Sequence, residues 1–229
     1  MSIALINGSP KRHGSASALV LARLQALLEP EQFLSVSAGD NFQGVNPEDI
    51  LGCQALVIAF PLYVDGVPAQ LASFLATLSQ IKSQPAISSF APSRKLVYAV
   101  VNNGFHDATL NRLAIKSLTL FAKDLRWSWG QGLGVGGGAM WSTLPGVIRN
   151  IGQSWGPFAP LVKALGEIAS HIKARRSGVD RYVDPALPSW LYAFLANLKW
   201  RFSALRHGCH GRLKSPSPKA GSMVTLEDA

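Results

Sequence analysis

A strand, a tight turn and the start of a helix are predicted at the beginning of the chain, between Ile3 and Ser17. Residues 3–6 are apolar without polar alternation, which is typical of a parallel strand buried on both faces. Asn-Gly-Ser-Pro at residues 7–10 then ends the strand, and apolar residues recur at helical spacing from Ser15 onward. The turn therefore brings backbone amides to the positive end of a helix, where an anion is expected to bind.

The composition of this turn indicates which kind of anion site it forms. Gly8 is not followed by the Gly-Lys-Ser/Thr of a triphosphatase loop, nor by the second glycine of a dinucleotide loop. The turn is instead rich in serine and carries two cations, which suits the phosphate of a mononucleotide. An ordinary surface turn with two solvated basic residues is the alternative. The candidate ligand-binding residues are Ser9, Lys11, Arg12, Ser15, Ala16 and Ser17.

Further strand patterns alternate with helical ones along the chain. Residues 33–37 read as an edge strand, and residues 55–60 and 96–101 as buried parallel strands. A fifth strand ends in the glycine-rich residues 132–137. This order predicts an α/β fold, a doubly wound parallel sheet of five strands with helices on both faces.

The turns after the second and third buried strands are the next candidate ligand loops, because open α/β sheets bind ligands beyond the carboxyl ends of their strands. Residues 61–68 enclose an aromatic residue and an aspartate between two prolines. Residues 102–105 offer two carboxamides and a glycine that permits close approach, although an asparagine-rich turn without a ligand would look the same. The candidates are Pro61, Leu62, Tyr63, Val64, Asp65, Asn102, Asn103, Gly104 and Phe105.

These loops resemble those of the flavodoxin-like NAD(P)H-dependent FMN reductases and NAD(P)H dehydrogenases (quinone). Residues 8–17 are similar to the family's Gly-Ser-Pro-Arg-Lys-x-Gly-x-Ser pattern, and residues 61–68 to its Pro-Leu-Tyr-x-Asp-Gly-x-Pro loop. The resemblance covers residues 1–175. It departs where relatives commonly have Asn-Ser or Asn-Thr after the glycine, so that either Ser15 or Ser17 must supply the missing hydroxyl.

The resemblance implies a flavodoxin-like fold and bound FMN, with NADPH or NADH as electron donor. It implies hydride transfer through the flavin to a quinone-like or other small-molecule acceptor, and no catalytic residue from the protein. In the family, the second loop borders the flavin ring, and the third loop can then serve the ring's pyrimidine edge. We also expect a homodimer. A flavodoxin-type electron carrier and a membrane-surface-associated flavin-binding protein are the alternatives.

The charge and the cysteine content indicate which binding partners and which cellular compartment to expect. The net charge is +9, of which residues 1–150 contribute +3 and residues 151–229 contribute +6. A basic surface favours anionic partners, but no nucleic-acid recognition motif accompanies it, so no nucleic acid is expected. Two cysteines far apart, without a signal segment or a spanning stretch, predict a cytoplasmic protein, with peripheral membrane contact as a further option.

The last part of the chain is predicted to lie outside the nucleotide fold. We expect a flavodoxin-like domain over residues 1–178, its last helix ending in Arg-Arg-Ser-Gly, then a helical extension over 179–210 and a disordered tail over 211–229. Within the extension, residues 188–207 form an aromatic and basic helix. Such a helix packs on its own domain or a second subunit, or lies on an anionic membrane surface.

Two patterns are not taken as sites. The Gly-x-Gly-x-x-Gly of residues 132–137 opens no periodic helix and lacks the acidic residue about twenty positions on. It is expected to bring backbone close to the flavin or to a dimer partner. His207, Cys209 and His210 have no matching second cluster, so no metal site is predicted.

Overall fold

Six parallel strands form one sheet in the computed structural model, which describes residues 1–64, 66–84, 95–141 and 156–207. Their order across the sheet is 2-1-3-4-5-6 in chain numbering, and the first five follow the order of flavodoxin-like sheets. The predicted fold class is confirmed. The strands are β1 (Ser2–Asn7), β2 (Gln32–Ser37), β3 (Ala55–Pro61), β4 (Leu96–Asn102), β5 (Ser128–Val135) and β6 (Arg181–Val183).

The sixth strand corrects the prediction of five. β6 pairs with β5 in parallel and lies beyond Gly178, the predicted end of the domain. Two carboxylates hold its ends, since Asp180 accepts hydrogen bonds from the Trp129 indole (2.9 Å) and Asp184 from the backbone amide of Ala108 (2.7 Å). β6 has only three residues, Arg181–Val183, and lies between two aspartates. Such a short segment contains no apolar run, so the hydrophobic periodicity of the sequence could not predict it. The compact unit that contains the sheet spans Met1–Ala186.

Helices cover both faces of the sheet, as predicted. The α-helices of the described residues are α1 (Ala16–Leu28), α2 (Pro47–Gly52), α3 (Ala69–Lys82), α4 (Arg112–Asp124), α5 (Gly138–Trp141), α6 (Ala159–Lys173) and α7 (Ser189–Arg206). One core cluster packs α1 and α6 against β1, β3, β4 and β5, and the other packs α2, α3 and α4 on the opposite face. β3 and β4 are buried on both sides, which explains their uninterrupted apolar sequences.

A buried tyrosine links the middle of the sheet to the end of α6. Tyr98 is fully buried, and its hydroxyl lies 3.1 Å from the carbonyl oxygen of His171 and 2.9 Å from that of Arg176. His171 lies in the last turn of the helix, where carbonyls have no partner within the helix, and Arg176 follows the helix end. The helix ends at Lys173, before the Arg-Arg-Ser-Gly end that the sequence predicted, and Arg175 follows it in a left-handed conformation, φ +50°. The tyrosine thus takes part in ending the helix.

Room for the Tyr98 ring comes from a bulge in β5. The register between β4 and β5 shifts after Val97, so that Tyr98 is opposite Gln131 and Gly130 is the extra residue. A Cβ atom at Gly130 would lie 2.5 Å from Cε1 of Tyr98. Residue 130 must therefore be glycine, because the Tyr98 ring of β4 occupies the space that a side chain would need.

Gly130→Ala is expected to lower the free energy of unfolding by about 1–3 kcal/mol, because the added methyl group overpacks the core. Gly166→Ala is the matched control, since a Cβ there meets nothing within 4 Å and the residue lies in α6. That change should raise stability by about 0.5–1 kcal/mol. Urea denaturation of both variants measures the difference, and equal stabilities would contradict the packing described for Tyr98.

Candidate functional site

The three predicted ligand loops lie at one edge of the sheet. They follow the carboxyl ends of β1, β3 and β4, which are adjacent strands with Asn7 opposite Ala59 and Pro61 opposite Asn102. The chain order reverses between β1 and β3, which is the switch point where ligands bind in doubly wound sheets. The sequence-predicted residues thus come together at the place where this architecture offers a crevice.

One buried side chain joins all three loops. The amide nitrogen of Asn102 donates to Ser17 Oγ at 3.0 Å and to the carbonyl oxygen of Phe60 at 3.0 Å. The backbone carbonyl of Asn102 accepts a hydrogen bond from Leu62 N at 2.7 Å. The ends of β3 and β4 and the start of α1 are therefore fixed relative to one another by a residue that is only 6% exposed.

The first turn is packed tightly between its neighbours. Gly8 N donates to the carbonyl oxygen of Ala59, and a Cβ at Gly8 would collide with the side chain of Leu71 in α3. Ser9 is buried, its amide bonded to Asn7 Oδ1 (3.1 Å) and its hydroxyl near the amide of Lys11 (3.4 Å). The turn can take this path because residue 8 has no side chain.

Ser15 and Ser17 have different roles at the start of α1. Ser15 is the N-cap, and its hydroxyl accepts a hydrogen bond from Ala18 N at 3.1 Å. Ser17 is fully buried, and its oxygen accepts the Asn102 amide. Both hydroxyls act as acceptors in these bonds, so each still has a proton to donate. The amides of Ala16 and Ser17 belong to the first turn of the helix, where they have no carbonyl partner within it.

The two cations of the turn are exposed beside this helix start. Arg12 Nε donates to the carbonyl oxygen of Gly39 at 3.3 Å, and Gly39 lies so close that a Cβ there would be 2.8 Å from Arg12 Cα. Neither Lys11 nor Arg12 forms a salt bridge with another residue of the described ranges. Their positive charges are thus available to an anion at the turn.

The second loop forms a two-residue turn at the end of β3. Tyr63 and Gly66 exchange backbone hydrogen bonds of 3.2 and 3.0 Å, with Val64 at the tip in a left-handed conformation, φ +47°. This conformation is strained for a β-branched residue, and such strain is found most often at functional sites. The Tyr63 side chain is 45% exposed. Asp65 lies outside the described residues.

The third loop is shaped by the second asparagine. Asn103 donates from its side-chain amide to the carbonyl oxygen of Asp107 (2.8 Å) and accepts from Phe105 N (2.8 Å). Gly104 is exposed and the Phe105 ring is 68% exposed. Hydrogen bonds from the hydroxyl and amide of Thr109 lower the pKa of Asp107, which caps the following turn. Asn103 thus organises the loop, whereas Gly104 and Phe105 face outward from it.

The glycine-rich end of β5 packs against this third loop. A Cβ at Gly136 would collide with the carbonyl oxygen of His106, and one at Gly138 would lie 2.7 Å from Asn102 Oδ1. Gly137 and Gly138 donate from their amides to the carbonyl oxygens of Phe105 and Asn103, both at 2.6 Å. The sequence predicted that these glycines bring the backbone close to a neighbouring group. In the structure, that group is the backbone of the third loop. Gly136, Gly137 and Gly138 thus support the third loop, and they were not among the predicted ligand-binding residues.

Comparison with known proteins gives matches at the level of structure. No family model and no curated protein sequence matches the chain. The Trp repressor binding protein from Bacillus subtilis superimposes with a TM-score of 0.52 at 20% identity, covering 72% of this chain and 99% of that protein. An apo-form NADH:FMN oxidoreductase gives 0.50 at 14% identity, with coverages of 77% and 90%, and a flavone reductase gives 0.50 at 10%, with coverages of 78% and 66%.

The chain has a flavodoxin-like fold. Identities of 10–20% establish this architecture alone, and it is the fold that the loop resemblance implied. The strand order and the position of the switch point between β1 and β3 agree with it. The candidate site of this flavodoxin-like chain is therefore the crevice bordered by the three loops.

Asn102→Asp is expected to lower the free energy of unfolding of the ligand-free protein by about 1–3 kcal/mol or more, because a carboxylate cannot donate to Ser17 Oγ and Phe60 O. Ser17→Ala should cost less, since Asn102 keeps its bond to the Phe60 carbonyl. Urea denaturation of the two variants gives the order. A larger loss from Ser17→Ala would show that the Asn102 amide does not hold the three loops.

Proposed function

We propose that the chain binds FMN at the crevice between its three loops and is a flavin-dependent oxidoreductase. It would take hydride from NADPH or NADH and pass it to a quinone-like or other small acceptor. The observation that carries the proposal is the junction at Asn102, through which a serine-rich helix start and two loops with exposed aromatic side chains are held at one switch point.

The groups around the first turn fit the phosphate of a mononucleotide. Three hydroxyls, those of Ser9, Ser15 and Ser17, are buried at or near the N-terminus of a 13-residue helix. Hydroxyls and first-turn amides donate hydrogen bonds to anions, and the helix dipole favours negative charge there. Lys11 and Arg12 add two positive charges. This donor set suits a single dianionic phosphate, and the turn lacks the glycine spacing that admits a pyrophosphate.

The second and third loops would hold the ring system. Tyr63 and Phe105 are aromatic residues whose side chains stay exposed at the ends of β3 and β4, and aromatic faces are suitable surfaces for a planar heterocycle. When bound, the flavin supplies the hydride chemistry, and the protein supplies binding, orientation and electrostatics. No acid or base from the chain is needed in this scheme.

The names of two structural neighbours, NADH:FMN oxidoreductase and flavone reductase, support a reductase over a passive electron carrier. The net charge of +9 supports it as well, because flavodoxin-type carriers are typically acidic. The donor, NADPH or NADH, and the acceptor are the parts of the proposal that depend on the loop resemblance.

The proposal is tested by the absorption spectrum of the full chain. After incubation with FMN and gel filtration, the protein should retain flavin bands, and after incubation with FAD it should not. Anaerobic NADPH or NADH should then bleach the bands, and a quinone should restore them. Retention of FMN without bleaching would identify an electron carrier, and failure to retain FMN would refute the assignment.

Ser9→Ala combined with Ser17→Ala should weaken FMN binding by about 1.5–3 kcal/mol for each lost hydrogen bond to the phosphate. His13→Ala is the matched control, because His13 is exposed in the same turn and has no predicted role. Titration of the apoprotein with FMN gives the affinities, and urea denaturation gives the separate effect on folding. A larger loss of affinity from His13→Ala would show that the phosphate is placed wrongly.

Tyr63→Ala should shift the flavin absorption bands, weaken FMN binding and lower turnover, because an aromatic face beside the ring is lost. Stability of the apoprotein should change little, since the side chain is 45% exposed and the Tyr63–Gly66 bond pair is made by backbone atoms. Tyr63→Phe should keep the bands and affinity. If the apoprotein unfolds at lower urea while the bound flavin spectrum is unchanged, Tyr63 has a packing role only.

A further inference from the structure

The last helix of the described chain has an unusual surface. α7 runs over 18 residues from Ser189 to Arg206 and belongs to a separate unit, Leu187–Ala229. At about 100° per residue, six of its large apolar side chains fall within an arc of about 100°. The six are Leu191, Phe194, Leu195, Leu198, Phe202 and Leu205. Trp200, which is 72% exposed, lies on the other side of the helix.

Five of the six side chains of this apolar face are exposed, and Leu191 is half-buried. Phe194 and Phe202 are each 60% exposed and Leu205 is 54% exposed, and Leu195 and Leu198 are exposed as well. Contiguous apolar surface of this kind marks a protein or membrane interaction site. Trp190 stands beside the face near the start of the helix, 69% exposed, and tryptophan is enriched at membrane–water interfaces.

Cations border the apolar face on both sides. On the helical wheel Arg201 lies next to one edge, and Arg206 and Lys199 lie next to the other; all three are exposed. Long basic side chains in such positions can lay their methylenes along apolar surface while the charge stays in the polar layer. Acidic residues are absent from residues 187–226, and the chain beyond α7 adds Arg212, Lys214 and Lys219.

We propose that α7 lies flat on an anionic membrane surface, with its apolar face in the lipid and its bordering cations at the headgroups. The pattern is that of an in-plane amphipathic helix, which binds through apolar burial together with attraction to anionic lipid. In the described part of the chain, no helix is long and apolar enough to cross a membrane, so α7 would lie on the bilayer. The proposal does not depend on flavin binding.

The cations beside the apolar face of α7 favour an anionic lipid surface over a second copy of the chain as its partner. If two α7 helices packed apolar face to apolar face, cations would border both, and the edges that meet would carry like charges in either orientation. Like charges at close range oppose association. An anionic lipid surface instead attracts every cation of the segment.

The test is flotation of the full-length protein with vesicles of phosphatidylcholine alone and of phosphatidylcholine with phosphatidylserine. We expect binding to the anionic vesicles, which weakens as salt is raised. Phe194→Gln with Phe202→Gln should reduce the partition coefficient by about 100-fold, because two aromatic side chains no longer enter the lipid. Lys199→Gln with Arg206→Gln should reduce it by about 5-fold per cation on anionic vesicles, and little on neutral ones.

Ala193→Gln with Asn197→Gln is the matched control, because these exposed residues lie away from the apolar arc of the same helix. Its partition coefficient should equal that of the unchanged protein. Failure of the unchanged protein to float, or equal flotation of the Phe194/Phe202 variant, would overturn the proposal. So would a dimer, seen by light scattering, that the Phe194/Phe202 change dissociates while the unchanged protein does not bind vesicles.

Discussion

The hydrogen bonds of Asn102 are the interaction on which the candidate site depends. Its amide nitrogen reaches an oxygen of α1 and an oxygen of β3, and its own backbone receives the amide that begins the second loop. A buried carboxamide costs free energy unless its hydrogen bonds are satisfied. The three loops are therefore fixed relative to one another through this residue.

In the second and third loops, the residues that shape the loop differ from the residues that are proposed to contact the ligand. Asn103 and the glycines after β5 bond to loop backbone and shape the third loop, whereas Gly104, Phe105 and Tyr63 face outward. Ser15 and Ser17 combine both roles, because each accepts a structural hydrogen bond and keeps a proton to donate. A rigid set of donors at a helix start costs little reorganisation when an anion binds, which favours affinity.

The chain consists of two parts with different surfaces. The sheet unit, Met1–Ala186, buries its apolar side chains in two clusters on either face of the sheet. The helix of the second unit presents apolar side chains to solvent with cations beside them. The proposed flavin site and the proposed lipid-binding helix are in different units and use different residues. Each proposal can therefore fail without the other.

The sequence by itself determined the central strands, the helices around them and the three loops at the sheet edge. Strands such as β3 are covered on both faces, so their residues must be apolar without interruption, and Gly or Pro must follow where the chain turns. Only the tertiary structure decided the partners of Asn102, which lies 85 positions from Ser17. It also decided the addition of β6, the left-handed residue Arg175 after the end of α6, and the contacts of Gly130 and Gly136. These features depend on which distant residues meet in space, and local periodicity does not contain that information.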